Sequence, residues 1–173
     1  MKERRKMGLV MCVALVLVVS NATYAVTTAN WNDGGADQYW GTAANWDTGT
    51  VPTIDNHAII NASSVILAAP PTINSSGLQA YNAFIGRWEA GQVLANMESG
   101  DLFVSNIFRL CENADVDSTF NMNGGTLTVG NSSSSSWSAL EIGYLGDGIF
   151  NMNAGEVIVQ NKIGIHHYSG KPG

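Results

Sequence analysis

The chain has 173 residues, 45% of them hydrophobic and 13% charged, with 19 Gly and a formal net charge of -6. Gly falls far short of one residue in three and the apolar fraction is that of a folded domain, which excludes a collagen triple helix and an acidic disordered tail. Eight Lys and Arg against 14 Asp and Glu leave no basic surface to neutralise phosphate, so nucleic acid is excluded as a partner held by charge.

Residues 1–25 read as a secretory signal peptide. Lys2, Arg4, Arg5 and Lys6 make a basic start, Met7 to Val19 is an apolar run, and Ser20 to Ala25 is short and polar, with Thr23 and Ala25 placed for a small-residue cleavage site. The apolar run is shorter than the roughly 20 residues a membrane-spanning helix needs, so no stable membrane span is expected after cleavage. A lipoprotein signal fits less well, because Cys12 follows Leu9-Val10-Met11 with no small residue before it. The expected location is therefore secreted or cell surface. The leader carries four of the eight bases and one of the 14 acids, which leaves 4 against 13, or -9, for residues 26–173. Such a charge keeps an exported protein soluble by self-repulsion and steers it away from anionic membranes. Cys111 is the single remaining cysteine, cannot close an internal disulfide, and reads as a small buried apolar residue.

Residues 26–79 read as an N-terminal cap with the first strands. Trp31, Trp40 and Trp46 punctuate a Gly- and Asp-rich stretch, followed by a strand from His57 to Asn61 and another near Val65 to Leu67. A stack of repeats has an open apolar end and must be closed to stay soluble, so the three Trp are expected to pack there. The alternative is a sugar-stacking platform built from Trp31, Trp40, Trp46 and Trp88. Asp33, Asp37, Asp47 and Asp55 are hard oxygen ligands of the type Ca²⁺ takes, yet their spacing lacks the regularity of a calcium loop, so no cofactor is expected and turn formation is the reading preferred.

Residues 80–173 carry a repeat. STFNMNGGTLTVGN at 118–131 recurs as GIFNMNAGEVIVQN at 148–161, and more weakly upstream as VLANMESGDLFVSN at 93–106. A second block recurs between them as FIGRW (84–88), RLCEN (109–113), EIGYL (141–145) and GIHHY (164–168). The serine run Ser132 to Ser136 accounts for the longer spacing between the last two copies and reads as an inserted loop. Within each copy apolar and polar residues alternate with a period of two and are broken by Gly, which describes strands and turns. No sustained helical periodicity appears after the leader. Two short strands and two turns per unit predict an all-β chain, a right-handed parallel β-helix of about four coils; an antiparallel sandwich is the alternative, and it would not need equivalent residues to recur in register.

Stacked coils bring equivalent positions about 4.8 Å apart. Met97, Met122 and Met152 are then an inward column, as are Leu102, Leu127 and Val157, and Ile85, Leu110, Ile142 and Ile165. Asn106, Asn131 and Asn161 are expected to stack at a corner, and Arg109 and Glu141 to pair across coils, stabilising by roughly 0.2 to 1 kcal/mol.

The run ANWDTGTVPTIDNHAIIN, followed by FNMNGGTLTVGN and LEIGYLGDG repeats, resembles large exported bacterial proteins that carry autotransporter-associated β-strand repeats or a PEP-CTERM sorting tail. The resemblance covers nearly all of residues 26–173. It implies a right-handed β-helix on an exported, surface-displayed protein and specifies little about activity. The chain departs from that pattern in having no hydrophobic anchor, sorting signal or barrel, and it stops within a fourth repeat, as an N-terminal fragment of a longer protein would.

β-Helices also carry polysaccharide lyases and hydrolases, so the acids matter. Asp115, Asp117 and Glu141 are the weak catalytic candidates, since hydrolysis needs two carboxylates at about 5 to 10 Å; Asp115 and Asp117 fall in a turn-like stretch, ENADVDST, where Asp is common for its own backbone bonds. His57 sits far in sequence from His166 and His167, no serine occupies a nucleophile elbow, and adjacent His166 and His167 on a strand point to opposite faces, so neither a triad nor a metal site is expected. The reading preferred is a non-enzymatic structural, adhesive or matrix module whose partner is a cell-surface or extracellular polysaccharide or protein. Polysaccharide binding or processing is the alternative. An exposed last rung favours end-to-end self-association.

Overall fold

The computed structural model describes residues 25–61, 69–131 and 138–166. Residues 1–24 of the expected leader, the expected strand near Val65 to Leu67, the serine run, and residues 167–173 with His167 lie outside the described residues.

The strands among the described residues are β1 (Thr27–Asn30), β2 (Asn56–Ile60), β3 (Thr72–Ile73), β4 (Leu78–Ile85), β5 (Gly91–Met97), β6 (Asp101–Leu110), β7 (Val116–Met122), β8 (Thr126–Val129), β9 (Ala139–Ile142), β10 (Asp147–Met152), β11 (Glu156–Val159) and β12 (Lys162–Ile165). One short 3-10 turn, Ala43–Asn45, is the helical element among them. Neighbours along one wall run β1-β2-β4-β6-β8-β11, with β9 joined to β6 and β12 to β9; the other wall runs β10-β7-β5-β3. Every ladder between these strands is parallel, which an antiparallel sandwich cannot produce. The chain is a parallel β-helix of about five turns. The turn beyond the expected four comes from the N-terminal side: β1 and β2 already belong to the stack, and the pairing runs without a break through residues 79 and 80.

The register places like residues on like. Phe150 lies opposite Phe120, with ring centroids 5.3 Å apart, and Met97, Met122 and Met152 follow one another across three coils. Leu102, Leu127 and Val157 form a second column, and Ile60, Ile85 and Leu110 a third. Alternation sends these residues inward: β7 reads buried, half-buried, buried along its whole length, with Val116, Ser118, Phe120 and Met122 inside and Asp117, Thr119 and Asn121 outside. The core is thus a set of side-chain stacks along the axis, shielded from water by the backbone walls around it.

Two features depart from two strands per unit. β6 is a single ten-residue strand, whereas the next coil covers the same length with β8 and β9, interrupted by the serine segment, and β6 pairs with both. A register shift between Ala80 and Asn82 marks where this long side bends. The turn after β7 shows why Gly recurs there. Gly125 and Gly155 have φ of 81° and 94°, and a Cβ on either would lie 2.5 Å from the carbonyl oxygen of the glycine one coil below. A side chain at that place would clash with backbone and also strain it.

The two ends differ. At the N-terminal end Asn32 N–H donates to Asn45 O and Asp47 N–H to Asn30 O, so residues 45–47 cover the free edge of β1. Trp40 N–H donates to Thr72 O and Thr72 N–H to Gln38 O, so residues 38–40 cover the edge of β3. Trp40 and Trp46 are buried behind these edges, packed edge-to-face at 4.9 Å, and Trp46 Nε1 donates to Trp40 O at 2.8 Å. Trp31 packs on Trp46 at 5.3 Å, as a cap requires. At the other end Met152, inward by register, is 52% exposed because it belongs to the last described coil.

Candidate functional site

The outer side of β4, β6 and β9 gathers charge from residues that are distant in sequence. Phe84, Arg109 and Glu141 lie opposite one another on successive strands. Arg109 donates through Nε to Glu141 Oε2 at 2.6 Å and through Nη1 to Glu112 Oε1 at 2.9 Å. Glu112 in turn meets Arg87 Nε at 2.8 Å through its other oxygen. The result is an alternating chain Arg87–Glu112–Arg109–Glu141, whose four charges cancel. Aromatic faces close it: the Arg87 guanidinium lies 4.3 Å over Phe84 and 4.8 Å over Trp88, and that of Arg109 lies 3.8 Å over Tyr144.

The expected Arg109–Glu141 pair is therefore present, but it is drier than a surface pair. Only 12% of the Arg109 side chain and 8% of that of Glu141 are exposed. A surface pair is worth at most about 1 kcal/mol, whereas a desolvated one is costly to assemble and costlier to break singly. Glu141 is committed to its cation and both arginines are held in ion pairs, so neither presents an unengaged guanidinium to a substrate carboxylate.

The other acidic candidates lie elsewhere. Asp115 is exposed in the turn before β7, its N–H donating to Asn113 Oδ1 at 3.2 Å. Asp117 is not in that turn: it is on β7, facing outward, directly opposite Asp147 of β10. The two candidates differ because strand alternation starts at Val116. The Asp117–Asp147 stacking was legible as one more match at the 30-residue offset, hidden by Ser118 and Thr119 becoming Gly148 and Ile149.

Of the four Trp candidates for a sugar platform, Trp40 and Trp46 are 1% exposed and have no face to offer, and Trp31 is packed edge-on against Trp46. Trp88 is 52% exposed, with the Arg87 guanidinium over its ring. Asp33 and Asp37 accept within a local turn, and Asp47 accepts from β1. Asp37 accepts from Tyr39 N–H, Thr42 Oγ1 and Asn45 Nδ2; Asp33 accepts from Gln38 Nε2; Asp47 accepts from the backbone and side chain of Asn30. The Tyr39 N–H bond chiefly holds the Asp37 carboxyl below its ordinary pKa. Among the described residues no three His, Cys, Asp or Glu converge as metal ligands do.

Asparagines also bond across coils at positions other than the expected corner. Asn106 lies within β6 and donates to Asn82 Oδ1 at 3.0 Å, next to the register shift, where Asn82 also accepts the N–H of Ile107. Asn131 and Asn161 lie beyond the ends of β8 and β11. Two ladders run along the other wall: Asn151 donates to Asn121 at 2.9 Å and Asn121 to Asn96 at 3.0 Å, while Asn153 donates to Asn123 at 2.8 Å and Asn123 to Glu98 at 2.9 Å. Asn before each repeated Met, and Asn or Glu after it, was the available signal, since a residue on either side of an inward Met must face out.

Cys111 is buried and His57 is half-buried. Cys111 occupies the corner position taken by Gly86 and Gly143 in neighbouring coils, with φ of 60°, and its Sγ accepts Ser118 N–H while the thiol donates to Asp147 O. Burial pushes its pKa up, which disfavours thiolate chemistry. His57 Nδ1 accepts from Asn82 Nδ2 at 3.0 Å, and burial, followed by the charge of Arg87, pulls its pKa down.

No family model, no curated protein and no solved structure matches the chain.

Proposed function

We infer that the protein is an exported structural β-solenoid module of the cell surface or extracellular matrix, working without catalysis. The observation that carries this reading is where its outward polar groups go. Asparagines bond to asparagines of the next coil, the four central charges neutralise one another, and the cap acids hold turns. A catalytic surface keeps carboxylates and cations available to a substrate, whereas here they stiffen the scaffold. Replacing Asp115, Asp117 or Glu141 by Ala and assaying a panel of polysaccharides for cleavage tests it: no turnover by the wild-type chain agrees, and cleavage lost in any of the three variants refutes it.

A second reading, carbohydrate binding, has one observation behind it: Trp88 is half-exposed next to Arg87, and flat apolar rings suit the faces of sugars. Titrating polysaccharides against Trp emission, with Trp88→Ala as control, decides it. A shift that disappears in the variant supports binding, and a flat response removes it.

A further inference from the structure

We propose that Asn123 is a self-modification site: in the folded chain it deamidates through attack by the Gly124 backbone nitrogen, and the acid formed sets two carboxylates against each other in the outer ladder. The inference stands apart from the function proposed above.

Asn123-Gly124 is the one Asn-Gly pair in the sequence. The reaction is intramolecular. The Gly124 nitrogen bonds to Asn123 Cγ, the Cγ–Nδ2 bond breaks, and Nδ2 leaves as ammonia with the Gly124 proton. Water then opens the five-membered succinimide at either carbonyl, giving aspartate or isoaspartate. A Cβ on the following residue crowds that ring and restricts the rotation that closes it, and glycine has none. The turn itself calls for this residue, since a Cβ on Gly124 would lie 2.5 Å from Glu98 O one coil below.

Backbone bonding also separates residue 124 from its equivalents. Ser99, Gly124 and Ala154 hold the same place in successive turns. Ser99 N–H donates to Ile73 O at 3.5 Å and Ala154 N–H to Met122 O at 3.2 Å, whereas the Gly124 N–H has no hydrogen bond among the described residues. The attacking nitrogen is thus unengaged. Asn123 is exposed just beyond β7, its own N–H held by Met97 O at 2.7 Å, and the next anchor is Thr126 N–H on Gly100 O at 2.9 Å. Between these anchors lie the two glycines, the segment that must rotate to bring nitrogen to Cγ.

The product changes the ladder. Asn123 Nδ2 donates to Glu98 Oε1 at 2.9 Å, and Asn123 Oδ1 accepts from Asn153 Nδ2 at 2.8 Å. An aspartate keeps the second bond and loses the first, so two like charges face each other across neighbouring coils. Isoaspartate also adds a backbone atom to a turn so close-packed that a Cβ on Gly125 would meet Gly100 O at 2.5 Å.

The test incubates the folded chain beside a guanidinium-unfolded sample in mildly alkaline buffer, then cleaves after glutamate, which separates residue 123 from residue 153 at Glu141. The expected result is that the peptide holding Asn123 gains the mass of an amide-to-acid exchange in the folded chain, with fragment ions placing the change at residue 123 and two acid forms resolved by chromatography. The peptide holding Asn153 keeps its mass. Residue 123 staying an amide in the folded chain, whether or not the unfolded sample converts, or residue 153 converting as fast, overturns the proposal. Asn123→Asp reads the consequence separately. Its urea midpoint is expected to fall below that of wild type at neutral pH, and an equal midpoint overturns the clash with Glu98.

Discussion

Met122→Ala and Met152→Ala remove the same atoms from the same column, and the structure assigns them different costs. Met122 is fully buried between Met97 and Met152, and its Cε lies 2.8 Å from where a Cβ on Gly155 would be, so the thioether fills the space the glycine turn leaves open. Truncation there loses the transfer energy of the side chain and leaves an enclosed void between coils, about 3 kcal/mol within the roughly 2 to 5 typical of buried Met→Ala changes. Met152, half in water, loses about half the transfer term and encloses no void, about 1 kcal/mol. The difference of about 2 kcal/mol corresponds to roughly 4 to 8 °C in Tm for a chain of this size. Urea titrations followed by Trp emission measure both. Equal losses, or a larger loss at residue 152, would refute the inward stack ending at that coil.

Three further outcomes follow from the same geometry. Glu141→Ala is expected to cost about 3 kcal/mol or more, since it strips a buried guanidinium of one partner, while Arg109→Met/Glu141→Leu costs much less; a denaturant series in which the double change is worse than the single one would overturn the desolvation argument. Lowering the pH should reduce stability through His57. Its folded pKa is depressed, so its contribution is complete above the unfolded value of 6.5 and is lost as pH falls from there through the folded pKa; the urea midpoint should drop as pH falls below about 6.5, and His57→Gln should flatten that drop. Cys111 should resist iodoacetamide in the native chain and react after unfolding, and Cys111→Gly should still destabilise by about 1 kcal/mol. Relieving the left-handed corner returns about 1 kcal/mol, which is outweighed by removing both hydrogen bonds of the thiol and leaving the Ser118 N–H without its acceptor. Native-state labelling or a more stable Gly variant would show that the thiol is not holding the turn.

Period-two alternation and recurrence at 25 and 30 residues are enough by themselves to specify parallel stacking, because equal side chains at equal spacing satisfy a winding chain and serve no purpose in a sandwich. They also determine which methionines and leucines face inward and that Arg109 meets Glu141, since both follow from counting along the repeat. What counting does not supply is what lies beside a position in another column. The Glu112 bridge between two arginines, the aromatic cover from Phe84 and Tyr144, and the engagement of Asn106 by Asn82 at a register shift depend on how corners turn, which is set by packing across the coil. The state of the two ends is likewise decided in three dimensions. Trp40 and Trp46 are as aromatic in the sequence as Trp88, yet edge hydrogen bonds bury the first pair and leave the last in water, and Met152 repeats Met122 in letter while lying half-exposed in the last described coil.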